Sequence, residues 1–146
     1  MLERFAMIKI TKERSVSIDD VLHLYQAVGW TNYTNQPQML EQALSHSLAI
    51  YLARDGEVIV GLVRLVGDGF SSVFVQDLIV LPSYQRQGIG SNLMKEALAD
   101  YKDAYQIQLA TEQTEKNLGF YRSLGFETLS TYDCTGMIWV DRKKFK

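Results

Sequence analysis

Cysteine is almost missing from this chain: Cys134 is the only one, so no disulfide can form within it. A reducing compartment is the expected setting. Proline is nearly as scarce, with only Pro37 and Pro82, which leaves glycine as the main punctuation between elements. No run approaches the ~18 apolar residues that a membrane-spanning helix needs. The stretch from Met1 to Ile10 carries Glu3, Arg4 and Lys9, unlike a signal peptide or an anchor. A soluble, cytoplasmic protein with no membrane partner is therefore expected. A basic excess is lacking too: 15 Lys and Arg against 17 Asp and Glu leave a net charge of −2, and no nucleic-acid partner is expected. The one basic stretch, Arg142 to Lys146, reads as a solvated terminus. No group of His, Cys and carboxylates has metal-ligand spacing, so no metal is expected. No G-x-S-x-G or similar signature marks a nucleophile, and Cys134 is expected to be inert.

What is present suits a compact fold. With 146 residues, 47% hydrophobic and 22% charged, the chain is expected to form a single domain over residues 1–146. Met7 to Thr11 alternates as a strand, and Ser17 to Val28 recurs at helical spacing with Ser17 as N-cap and Gly29 beyond its end. Trp30 to Gln36 reads as a polar and aromatic connection before a second helix opened by Pro37 and running to His46. Strands follow at Leu48 to Arg54 and Val58 to Val66, divided by Asp55-Gly56 as a hairpin turn, and then at Phe70 to Val80. An amphipathic helix from Gly90 to Tyr101 leads to a short strand, Ile107 to Ala110. A helix from Glu115 to Leu124 precedes closing strands at Phe126 to Leu129 and Met137 to Val140. The fold class is α/β in the α+β sense, a mixed and mostly antiparallel sheet flanked by about four helices. Ligands of such sheets gather outside the carboxyl ends of the strands, which directs attention to the end of the Val80 strand.

There, Gln85-Arg86-Gln87-Gly88-Ile89-Gly90 links a strand to a helix. The first amides of a helix lack intrahelical partners and carry partial positive charge, which suits a phosphate group. Arg86 adds a cation, and no acidic residue stands between Tyr84 and Lys95 to occupy that positive end. Read from the residues alone, the two glycines serve equally to shape a tight turn. The spelling is neither a P-loop nor a Rossmann fingerprint.

The segment resembles the acetyl-CoA-binding motif [QR]-x-x-G-x-[GA] of the GCN5-related N-acetyltransferase family, through Gln85, Gly88 and Gly90. Downstream, Asn117 to Phe126 resembles that family's N-x-x-x-Y-x-x-x-G-F signature. The resemblance implies that the main chain of Arg86, Gln87, Gly88, Ile89, Gly90 and Ser91 holds a coenzyme pyrophosphate. It implies that the pantetheine arm lies along Leu78, Ile79 and Val80, with the Leu78 amide polarising the thioester carbonyl. It also places Asn117 against the coenzyme and makes Tyr121 the acid that protonates the departing thiolate, for which a phenol pKa of ~10 is suited. Two readings stay open for each: Asn117 as a plain residue of a helix start, Tyr121 as core within the stripe Leu118, Tyr121 and Leu124. The acceptor pocket is implied to include Trp30, Tyr33 and Gln76.

The base is open between Asp77, Glu112 and a water chain. Related polyamine acetyltransferases carry Glu-Asp where this chain has Gln76-Asp77, and a carboxamide is no base. Strand alternation is expected to place Asp77 on the opposite face from Gln76, where it is either the base or a buried structural group. His23 and His46 read as surface or satisfied residues. The resulting expectation is acetyl transfer from acetyl-CoA to a primary amine of a small molecule or peptide, by direct attack in a ternary complex, in a monomer or homodimer. A non-catalytic acyl-CoA-binding module and a protein N-acetyltransferase are the alternatives.

Overall fold

The computed structural model describes residues 7–141 and residue 143. The residues before Met7, and Arg142, Lys144 and Lys146 of the basic terminus, lie outside the described residues. The chain divides into two compact units, Met1–Ala110 and Thr111–Lys146.

The first unit runs β1 (Ile8–Glu13), α1 (Ile18–Ala27), α2 (Thr31–Thr34), α3 (Pro37–Ser45), β2 (Ala49–Asp55), β3 (Val58–Gly67), β4 (Ser72–Val80), α4 (Ile89–Asp100) and β5 (Gln106–Leu109). These strands form one five-stranded sheet in the order β1-β2-β3-β4-β5. Pairing is antiparallel from β1 through β4 and parallel between β4 and β5, which are joined by the α4 crossover.

Local chemistry explains most boundaries. The Ser17 hydroxyl accepts from the Asp19 amide at the start of α1, and Pro37 occupies the first turn of α3. Asp55 pairs with Val58, so the hairpin turn is Gly56-Glu57, one residue later than its sequence signal, with Gly56 at φ +60°. The connection after Trp30 is not wholly irregular, since Thr31–Thr34 closes into one helical turn. Phe70, expected inside β4, lies before it and is exposed.

The sheet is covered on both faces. Val21, Leu24, Tyr25, Leu40 and Leu44 of α1 and α3 pack with Ile50, Leu52, Leu62 and Ile79. On α4, Leu93, Met94 and Ala97 are buried. Each such side chain contributes about 1.5–3 kcal/mol of burial. A Cβ at Gly61 would lie 3.1 Å from both the Ile79 carbonyl oxygen and Leu93 Cδ1, so the glycine lets α4 sit close on β3.

The second unit holds α5 (Glu115–Ser123), capped by the Thr114 side chain accepting from the Asn117 amide, and a 3-10 turn at Leu129–Tyr132. The closing strands expected at Phe126 to Leu129 and Met137 to Val140 are absent among the described residues. β-propensity specifies a half-buried pleated surface, not a ladder, and neither segment meets a strand to pair with. Among the described residues no helix is long and apolar enough to cross a membrane.

Candidate functional site

β4 and β5 pair only over Ser72–Val75 and Gln106–Leu109. Beyond Val75, β4 continues to Val80 against β3 alone, so its other edge is open from Gln76 onward. The direction of the main-chain groups follows from one bond. The Leu81 amide donates to the Val60 carbonyl at 2.9 Å, so alternate residues place Ile79 toward β3 and turn Leu78 and Val80 outward. The structure thus sets Leu78 and Val80 apart from Ile79, whose side chain is 1% exposed and whose main chain belongs to the β3 ladder. The Gln85 side chain reaches back to this edge, its Nε2 donating to the Val80 carbonyl at 3.2 Å.

The loop then turns sharply. Arg86 (φ +65°) and Gly88 (φ +80°) are both left-handed, an uncommon state for a non-glycine residue. At Gly88 a Cβ would meet nothing within 4 Å, so the backbone angle rather than crowding calls for glycine in the chain as it stands. Gly88 is the N-cap of α4, no side chain caps that end, and no acid stands in the first turn. The amides of Ile89, Gly90 and Ser91 at this end are of the kind that an anion satisfies. Arg86 and Gln87 are exposed beside them.

The first two helices meet β4 at a buried polar cluster. Asp77 is 2% exposed and accepts from Tyr25 Oη (2.9 Å), Tyr33 Oη (2.9 Å) and Arg64 Nε (2.7 Å). Arg64 also donates to Ser47 Oγ (3.2 Å) and Tyr33 Oη (3.3 Å). Burial opposes the Arg64 charge, but the Asp77 carboxylate overcomes it and holds the guanidinium firmly protonated. Burial, then the charge of Asp77, raises both the Tyr25 and Tyr33 phenols. The reading of Asp77 as the base is corrected: both oxygens are engaged and the group is sealed from solvent, so it cannot take a proton from an incoming amine.

The alternation argument fails at the same place. Leu65 pairs with Val75 and Arg64 with Asp77, so Gln76 is an extra residue in a β-bulge. Gln76 and Asp77 then converge on one hydroxyl instead of facing apart: Gln76 Nε2 donates to Tyr33 Oη at 3.4 Å. Tyr33 packs against Tyr25 with ring centroids 5.0 Å apart, and Trp30 lies 6.2 Å from Tyr33 and partly buried. Trp30, Tyr33 and Gln76 are therefore brought together. Arg64 and Tyr25 went unnoticed in the sequence, although a lone Arg within Val58–Gly67 and a lone Asp within β4 are the signature of a buried pair.

In the second unit, Tyr121 on α5 is half-buried, edge-on to Phe120 (5.0 Å) and Phe126 (5.9 Å). Burial raises its phenol above the ordinary value. Asn117 Nδ2 donates to the Glu112 carbonyl at 3.2 Å, which braces the start of the helix. Glu112 itself is exposed. His23 bonds the Ile59 carbonyl (2.7 Å) and His46 the Gln42 carbonyl (2.9 Å). Among the described residues no group of three or more His, Cys, Asp and Glu is placed to hold a metal.

Comparison with known proteins bears on the whole arrangement. Residues 46–128 match the profile of the acetyltransferase (GNAT) domain. A GNAT-family acetyltransferase of Streptococcus pneumoniae is 76% identical, with a TM-score of 0.87 over 93% of this chain and 99% of that one. A chloroplastic GCN5-related N-acetyltransferase of Arabidopsis thaliana is 28% identical over 90% of this chain and 66% of its own length. A chloroplastic serotonin N-acetyltransferase of rice (Oryza sativa subsp. japonica) is 33% identical over 62% of this chain and 48% of its own. The chain thus spans less than two thirds of the length of these two plant relatives. Two further acetyltransferase structures, one with acetyl-CoA bound and one with coenzyme A, share the fold.

Proposed function

The chain belongs to the GNAT acetyltransferase family, and from that premise we propose that it transfers an acetyl group from acetyl-CoA to a primary amine of a small molecule or peptide, by direct attack in a ternary complex. The observation that carries this reading is the open edge of β4 at Leu78 and Val80, which leads into the uncapped, acid-free start of α4. A chain with a pyrophosphate at one end and an amide-bearing arm suits those two features in series. The amides from Arg86 to Ser91 hold the pyrophosphate, and the Leu78 and Val80 main chain aligns the arm as an added strand.

The chemistry then needs few groups. The Leu78 amide stabilises the oxyanion that forms as the amine nitrogen attacks the thioester carbon. The carbon–sulfur bond breaks, and Tyr121 gives its proton to the leaving thiolate. The raised phenol keeps that proton available through neutral and mildly alkaline pH. With Asp77 sequestered, the amine loses its proton to water or to exposed Glu112. Trp30, Tyr33 and Gln76 form an aromatic and neutral-polar acceptor wall. The rice relative's named substrate, serotonin, is an aromatic amine of the kind such a wall suits.

A second reading, a non-catalytic acyl-CoA-binding module, draws on the same sequestering of Asp77. Thiol release from acetyl-CoA across a panel of arylalkylamines, polyamines and peptides separates the two. Turnover on an amine that Tyr121→Phe slows supports the enzyme. Tight coenzyme binding with no amine turned over would overturn it.

A further inference from the structure

The second unit has no buried residue among those described, yet it carries Met137 (95% exposed), Ile138 (69%), Trp139 (77%) and Val140 (59%) in succession. Solvated chains rarely expose such a run, which combines high β-propensity with large apolar area. The first unit has the matching deficit. β5 is the sheet's edge, its outer row of amides and carbonyls unpaired in the ladder. Ile107 and Leu109 on β5 are only partly covered, and Tyr105 and Phe70 at its start are 82% and 84% exposed.

We propose that residues 137–140 of one chain pair with the β5 edge of a second copy of this chain, reciprocally, in a two-fold dimer. A second copy supplies both missing halves at once, and two-fold exchange closes the assembly with no edge left over. Reciprocal burial of these side chains and the surface they cover removes on the order of 1,000 Å² from water, the scale of a specific interface. Charge favours the same pairing. Asp103, Glu112 and Glu115 flank β5 against Lys102, whereas Arg142, Lys143, Lys144 and Lys146 follow the apolar segment. The partner's segment would also brace β5, one side of the fork where β4 and β5 part.

Light scattering after size exclusion at micromolar concentration tests the stoichiometry, with the mass of two chains expected. Trp139→Glu and Tyr105→Glu alter opposite sides of the contact, and each is expected to weaken dimerisation about 30-fold or more, as for an interface anchor. A spin label on Cys134, the only cysteine and an exposed one, gives an inter-chain dipolar signal only if two copies approach there. That signal is expected in the unsubstituted chain and is expected to vanish on dilution. A monomeric protein at these concentrations overturns the proposal, as does a dimer that survives both substitutions. Should Trp139→Glu not fold, Tyr105→Glu and the Cys134 label decide alone.

Discussion

Two side chains that look alike as acid–base candidates part company once their surroundings are counted. Asp77 sits in a closed set of donors from Tyr25, Tyr33 and Arg64, so its removal leaves a buried guanidinium without a counter-charge. Asp77→Asn is expected to cost about 3–5 kcal/mol of stability in urea unfolding, with the pH profile of turnover in the remaining folded enzyme unmoved. An intact fold that loses an acidic limb from its rate profile would restore Asp77 as the base. Tyr121 behaves in the opposite manner: its rings touch only Phe120 and Phe126, and burial alone raises its phenol. Tyr121→Phe is expected to preserve the melting temperature within a few degrees and to lower kcat about 100-fold or more. Coenzyme affinity, read by calorimetry, should stay the same. If kcat holds while stability falls, the residue is core.

At the scale of elements, the two glycines that flank α4 do different work. Gly88 holds φ +80° in open space, and an alanine there costs about 1–2 kcal/mol and displaces the amides that follow it. Gly61 is crowded by Ile79 and Leu93, so an alanine there costs about 1–3 kcal/mol through overpacking. Calorimetry with acetyl-CoA is expected to show weakened binding for Gly88→Ala, whereas Gly61→Ala chiefly lowers the melting temperature. The loop was legible in the sequence because its signals are local: paired glycines, an acid-free first turn and an apolar strand before it. The caps at Ser17 and Pro37 were legible for the same reason. The bulge at Gln76 was not, since it exists only in the register against Arg64 and Leu65, and alternation counted along one strand cannot detect it. The closing strands failed differently: Met137 to Val140 has strand composition, but composition does not supply the neighbour that a ladder needs.

Across the first unit, both faces of the sheet carry a buried phenol bonded to a carboxylate. Tyr25 and Tyr33 meet Asp77 beside α1, and Tyr51 meets Asp100 of α4. Burial is the main cause of the raised phenols, with the adjacent carboxylate second for Tyr25 and Tyr33 and the Asp100 hydrogen bond second for Tyr51. In the unfolded chain these tyrosines titrate near ~10. Below that value both states are protonated at all three positions, so stability should not depend on them. Above it the unfolded state releases protons that the folded state retains, and stability must fall as pH rises. Urea midpoints are therefore expected to be flat from neutral pH to about 9 and to drop steeply beyond 10. Tyr25→Phe gives the control, since it lowers stability at neutral pH but flattens the alkaline slope. A slope unchanged by Tyr25→Phe and by Tyr51→Phe would place the alkaline sensitivity elsewhere in the molecule and leave the paired phenols as neutral packing.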